Sequence, residues 1–300
     1  MGEGYFILFE GLSGSGKTTQ GERLVEYLKR RGVPVLPLNR EPTTANPFGV
    51  SIRKLIKGER LTRQFIEREF GLALVGLQVV LAADEAFAKV AGARAGMRNS
   101  AEDVIRRSWR KKFCQALSDI FTKLLERREL TELEFQFLFL ADRLLDLWET
   151  ILPALKYGKW VVNDRFDLTN FAVGDARGVP MDELYRWHEN VLGGDYRVPD
   201  LTIFVAVPPR VALRRLKRSG KPLDRYETLE GQRRIEAAYH RAIALAQLRS
   251  VGTKPGDLMR LVRVVNGDQT AIAVERDIER LIDFYFFPKK GDGKKGRKKR

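Results

Sequence analysis

Cysteine is almost missing: Cys114 is the single one in 300 residues. No internal disulfide framework can form, and such usage fits a reducing compartment, so a cytoplasmic setting is expected. Histidine is nearly as scarce. His188 and His240 stand apart, without the spacing of metal ligands, and read as surface or helix-packing residues. Nowhere do the ~18 apolar residues of a membrane span run together. The nearest stretch, Phe70 to Ala83, contains Gln78 and two glycines and reads as a buried helix. The N-terminus has no basic flank, apolar core and small-residue cleavage site, so export is not expected. Acidic side chains are in deficit, 39 Asp and Glu against 54 Lys and Arg, leaving a net charge of +15. What the chain does have is apolar content, 44%, enough to bury one large domain or two small ones.

The charge is uneven. Lys289 to Arg300 holds eight Lys and Arg against one Asp, with three glycines and no large apolar residue. With nothing to bury, residues 288–300 are expected to be disordered. Such a tail either solubilises the chain or contacts nucleic acid non-specifically by releasing counterions.

Near the other end, the apolar run Phe6-Ile7-Leu8-Phe9-Glu10 stops at Gly11-Leu12-Ser13-Gly14-Ser15-Gly16-Lys17-Thr18-Thr19, and a helical pattern follows at once. Gly-x-x-x-x-Gly-Lys-Thr between a strand and a helix is a phosphate-binding loop. Its glycines let successive N–H groups turn inward as an anion nest at a helix N-terminus. Gly11, Ser13, Gly14, Ser15, Gly16, Lys17, Thr18 and Thr19 are therefore assigned to a nucleoside triphosphate. Lys17 can reach the β- and γ-phosphates, and the Thr18 hydroxyl can ligate Mg²⁺.

Short β-rich runs alternate with longer helical patterns, the signature of βαβ units. Candidate strands are Tyr5–Phe9, Pro34–Leu38, Trp160–Asn163, Leu201–Val207 and Leu261–Val265. Candidate helices are Lys17–Arg31, Thr131–Leu155, Pro180–Val191, Arg210–Arg218, Thr228–Arg249 and Ala271–Phe284. The expected fold is α/β, of the P-loop NTPase type, with three layers and a five-stranded parallel sheet flanked by helices. Residues 1–60 and 131–287 would form this domain. Residues 61–130 interrupt the alternation and read as an inserted helical hairpin. Ser100 with Asp103 can start its second helix, which carries Val104, Trp109, Phe113, Leu117, Ile120 and Leu124 at helical spacing. It would serve packing or subunit contact, or else cover a substrate or bind nucleic acid.

Ligands of such folds lie at the carboxyl ends of the strands, where the loop, Arg40 and Asp164-Arg165 all fall. Asp164 can hold Mg²⁺ there, and a guanidinium suits a phosphate through paired charge-assisted hydrogen bonds. The cation-rich stretch 214–227 crosses a Gly/Pro-interrupted loop and can act as a lid that excludes water from a moving phosphoryl group.

The ordered set of motifs resembles the thymidylate kinase family of P-loop nucleoside-monophosphate kinases. The matching pieces are Phe9-Glu10-Gly11 through Gln20, Arg40-Glu41-Pro42-Thr43, Ile52-Arg53, Phe137 to Arg143, Pro153-Ala154-Leu155, Asp164-Arg165-Phe166, Pro199 to Thr202 and Asp224 to Glu227. The resemblance implies transfer of the γ-phosphoryl group of Mg·ATP to dTMP. It implies that Phe139 stacks on the base, Arg143 hydrogen-bonds it, Asn170 lies near base and sugar, and Arg165 with Arg40 grips the acceptor phosphate. Ser15 stands where one subclass has an arginine, so the lid residues Arg214, Arg218 and Arg225, with Lys221, would supply catalytic charge.

Three departures accompany it. Ser13 replaces an acidic residue, Ala172-Val173-Gly174 replaces a sequence with an aromatic, and the hairpin precedes the Phe139/Arg143 helix, through which such kinases often form homodimers. Two alternatives follow: a kinase for another nucleoside monophosphate, or a non-catalytic nucleotide-binding protein that uses the hairpin and tail to bind nucleic acid or a partner.

Overall fold

The structure is a computed structural model that describes residues 3–94, 101–248 and 261–288. The basic tail from Lys289 onward and the Ser100 helix start fall outside the described residues. Five parallel strands, β1 (Phe6–Glu10), β2 (Asn39–Arg40), β3 (Val161–Asp164), β4 (Leu201–Ala206) and β5 (Val262–Asn266), form one sheet in the order β2-β3-β1-β4-β5. β1 and β3 are buried at every residue, which is why their sequences are near-continuous apolar runs. Phe9 pairs with Asp164, Arg40 with Asp164, and Phe9 with Ile203. That register brings the phosphate loop, Arg40 and Asp164 to one edge.

Helices α1 (Lys17–Arg30) and α12 (Ala271–Phe286) pack together. A second layer joins α2 (Pro47–Leu55), α6 (Glu132–Asp146), α8 (Asp167–Ala176), α9 (Met181–Leu192) and α11 (Leu229–Leu248), with α10 (Pro209–Arg218) against α11. Between α2 and α6 the chain makes a short α3 (Arg63–Phe65), a π-helical turn at Ile66–Phe70, and the long antiparallel pair α4 (Gly71–Arg94) and α5 (Ala101–Leu125). Phe70 of the π-helical turn and Leu74, Leu77 and Leu81 of α4 line up inward at helical spacing, as do Phe113, Leu117, Ile120 and Leu124 of α5. α5 packs on α6 and α9.

Several boundaries differ from the sequence reading. The ladder of the second strand forms at Asn39–Arg40 instead of Pro34–Leu38, with a single bridge between Val35 and Trp160. Pro37 has no N–H to offer and breaks the run. The helix expected over 131–155 is α6, a π-helical turn at Leu147–Ile151, and α7 (Leu152–Lys156). Pro153 cannot donate to the carbonyl one turn back, and the wider turn absorbs the mismatch. α4 runs on as far as Arg94. Neither α2 nor α8 was expected.

Candidate active site

Three glycines of the loop after β1, Gly11, Gly14 and Gly16, have positive φ. Gly16 has φ +99 as it caps α1, and Gly14 has φ +81. A Cβ on Gly14 would also lie 2.4 Å from the Ala212 carbonyl oxygen. Backbone permissiveness and the closeness of α10 both demand glycine there. Lys17 is buried, and its ammonium donates to the carbonyls of Gly11 (2.9 Å) and Leu12 (2.7 Å). Burial, reinforced by the Arg165 charge, lowers its pKa to about 7. Thr19 is exposed on the first turn of α1.

Asp164 ends β3 beside this loop. One carboxylate oxygen accepts the Thr18 hydroxyl, and the other is buried without a hydrogen-bond partner among the described residues. A carboxylate oxygen left bare next to a threonine hydroxyl fits a hard cation such as Mg²⁺. Among the described residues no cluster of three or more His, Cys, Asp or Glu could hold a metal.

Arg165 adopts φ +76, uncommon for a residue with a side chain. Its N–H donates to the Phe9 carbonyl (2.9 Å), and Glu10 holds the following residues. The fully buried Glu10 carboxylate accepts from Phe166 N (2.9 Å), Thr169 N (3.3 Å), the Thr169 hydroxyl (2.5 Å) and the Tyr239 hydroxyl (3.0 Å). It thereby starts α8 and fixes the turn. The Arg165 guanidinium then reaches back across β1, donating to the Ser13 hydroxyl (2.9 Å) and the Gly11 carbonyl (3.4 Å). Gly11 O thus receives both Lys17 and Arg165. Sequence reasoning gave Glu10 no role, although a carboxylate closing an apolar strand was the available signal.

Arg53 of α2 lies within electrostatic reach of the same groups. Its guanidinium donates to the carbonyls of Thr43 (3.2 Å) and Pro42, and feels the charges of Asp142, Arg40, Asp164 and Arg165. Burial lowers its pKa. Arg40 lies farther out and pairs with Glu22 on α1.

Phe139 and Arg143 share a face of α6, as their spacing requires. Arg143 is only 1% exposed. Its Nε donates to Glu41 at 3.1 Å and its Nη2 at 2.5 Å, while Nη1 donates to Asn170 Oδ1 (3.2 Å) and His188 Nε2 (2.6 Å). His188 Nδ1 is bonded to the Leu184 carbonyl (2.8 Å), which fixes the tautomer that accepts at Nε2. Burial, and then the Arg143 charge, lower the His188 pKa to about 3, so the ring stays neutral. Asn170 donates in turn to Gln136. The expected pair of Arg143 and Asn170 is therefore one buried polar layer, with Glu41, His188 and Gln136 as members the sequence had not offered.

The lid assignments need correction. Arg214 and Arg218 are exposed and line an outward groove with Arg210, Leu213, Lys217 and Leu229. Their neighbour Arg215 is the one turned toward the phosphate loop, donating to the Gly267 carbonyl (2.9 Å) and approaching the Ser15 carbonyl (3.5 Å). Helix phase decides this: Ala212 and Leu216 face Gly14, so positions 214 and 218 face away. Arg225 is not at the loop either. It donates to Glu132 (3.1 Å) and stacks on Phe135 (4.3 Å), and its N–H donates to the Ile56 carbonyl (3.1 Å).

A sequence profile of the thymidylate kinase family matches residues 9–75 and 113–253 and passes over the stretch between them. A probable thymidylate kinase of Pyrococcus abyssi is 27% identical over 279 residues, covering 93% of this chain and 96% of that protein. A thymidylate kinase of Leptospira borgpetersenii is 26% identical, with 84% and 87% covered. Another from Caldanaerobacter subterraneus is 26% identical, with 94% and 96% covered.

Proposed function

The chain belongs to the thymidylate kinase family, and on that footing we propose that it transfers the γ-phosphoryl group of Mg·ATP to dTMP, giving dTDP and ADP. Family membership favours an active kinase over a nucleotide-binding protein without catalysis. The observation that carries the reading at the site is the shared Gly11 carbonyl: the donor-side lysine and the acceptor-side arginine are held on one peptide oxygen. Two phosphates placed on these cations would meet end to end.

In this reading the loop amides and Lys17 bind the donor phosphates. Thr18 and Asp164 would hold Mg²⁺, which when bound neutralises charge on the donor phosphate oxygens. Arg165, supported by Arg53 and Arg40, orients the acceptor phosphate. One of its oxygens attacks the γ-phosphorus, and the bond to the bridging oxygen of ADP breaks with its electron pair. Such transfer needs alignment and cations more than a strong base. Arg215, beside Gly267 and Asp268, edges the donor base. Phe139, Arg143 and Asn170 form the acceptor-base wall. Residues 214–227 act as the lid, now with Arg215 as its inward cation. The setting proposed is the cytoplasm, in keeping with the single cysteine. Homodimer formation and a contact of the tail with nucleic acid are proposed as well; sedimentation, and a gel shift with and without residues 289–300, test them.

The decisive measurement is ADP release with dTMP, dUMP, dCMP, dGMP and AMP as acceptors, on the wild type and on Arg165→Ala. Wild type should prefer dTMP. The variant should lose on the order of 10³-fold in turnover, the range of an arginine that stabilises a phosphoryl transition state, while binding Mg·ATP normally. Undiminished turnover would remove Arg165 from the acceptor site.

A further inference from the structure

The hairpin between α2 and α6 contains the stretch that the family profile passes over, residues 76–112, and its second helix lies against the back of the acceptor-base wall. Two of its contacts come from within that unmatched stretch. Trp109 meets Trp187 of α9 edge-on, with ring centroids 4.5 Å apart. Arg110, 5% exposed, donates to the Val191 carbonyl in the last turn of α9 (3.1 Å) and pairs with Asp195 (3.4 Å). A guanidinium on the final carbonyls of a helix satisfies orphan acceptors and complements the helix dipole. One turn on, Phe113 meets Phe137 of α6 at 5.8 Å and Trp187 at 6.4 Å, and Phe137 and Trp187 meet each other at 4.6 Å.

The residues next to these aromatics are the ones that hold the wall. On α9, Trp187 faces the hairpin and His188 accepts from Arg143. On α6, Phe137 faces the hairpin and Gln136 accepts from Asn170. Successive residues on a helix project about 100° apart. Each helix therefore shows one residue to the hairpin and the next to the buried polar layer. A rotation of either helix that relaxed the aromatic contact would carry His188 or Gln136 off its partner.

We propose that the inserted hairpin sets acceptor recognition by clamping α9 and α6, with Trp109 and Arg110 as positioning residues for Arg143 and Asn170 acting through Trp187–His188 and Phe137–Gln136. The proposal rests on the reading of Arg143 and Asn170 as the acceptor-base wall. It assigns the hairpin a role at the acceptor end of the cleft and none at the donor end.

The test compares Trp109→Ala, Trp109→Phe and His188→Ala with the full-length wild type, by calorimetric binding of dTMP and of Mg·ATP separately and by steady-state kinetics. Trp109→Ala and His188→Ala should weaken dTMP binding about tenfold and raise its KM to match, and should narrow the preference for dTMP over dCMP. In Trp109→Ala, Mg·ATP affinity and kcat at saturating acceptor should stay within about twofold. Trp109→Phe, which keeps an aromatic edge against Trp187, should restore dTMP binding. If Trp109→Ala does not fold, the milder Arg110→Gln carries the same expectation at smaller amplitude. Equal losses toward both nucleotides, or dTMP binding unchanged in a folded variant, overturn the hairpin proposal. The wild-type acceptor panel is read first. No monophosphate turnover there removes the kinase reading and this proposal with it, and preference for another acceptor moves the same comparison to that nucleotide.

Discussion

The two ends of the cleft are made of different material. At the proposed donor end the groups that would meet phosphate are main-chain N–H groups of a glycine loop and the first turn of α1, with one lysine beside them. At the proposed acceptor end the wall would be side chains throughout: Arg143, Glu41, Asn170, His188 and Gln136, drawn from α6, the segment after β2, α8 and α9. Main-chain donors survive most substitutions, so the donor end can fail only where backbone shape or a bound cation is touched. A side-chain layer fails wherever one member is removed, because a buried partner is left unsatisfied.

The comparison breaks most visibly at Glu41. Both Arg143 and Glu41 are at most 2% exposed in their side chains, and burial raises the Glu41 carboxyl well above its ordinary range although the guanidinium opposes it. Glu41→Ala strands a buried guanidinium and should cost about 3–5 kcal/mol of stability in a urea titration. At the donor end the matching change is Gly14→Ala. The added methyl collides with α10 in a backbone conformation it resists, and turnover should fall on the order of 10²-fold. Circular dichroism should stay native.

Arg215 offers a finer cut. Arg215→Ala should raise the KM for ATP about tenfold, the loss of roughly one charged contact, whereas Arg214→Ala with Arg218→Ala should stay within about twofold. The reverse ranking would return the inward position to 214 and 218. The smallest effect concerns one proton. Lys17 has a pKa of about 7 in the structure, and a triphosphate favours its charged form. Binding at pH 8 should therefore take up most of a proton, while binding at pH 6, where Lys17 is already charged, takes up little. Affinity should accordingly fall as pH rises above 7. Calorimetry in buffers of different ionisation enthalpy reads this directly.

How much was legible in the sequence follows the same division. The donor end is local: one strand, one loop and one helix lie in succession between Phe6 and Arg30, each element agreeing with the next. The sheet was readable too, because strands covered on both faces leave apolar runs. α8 escaped because Asp167 to Gly174 is buried at every position, which erases the helical period. α2 escaped because Pro47 and Gly49 look like loop residues, although Asn46 caps the helix through Gly49 N (3.1 Å). The acceptor layer joins residues up to 102 positions apart, and no spacing rule reports that. Between residues 214 and 227 the cations were visible but the helix phase was not, so the sequence pointed to Arg214, Arg218 and Arg225 and passed over Arg215.

The Arg225 contacts have a consequence for anyone who would re-engineer this chain. Its N–H is tied to Ile56 and its guanidinium to Glu132, and those two residues are the footings from which the hairpin rises and to which it returns. A shortened connection spliced in place of the hairpin would have to rebuild both anchorages, or it would cut the mooring of the loop between α10 and α11.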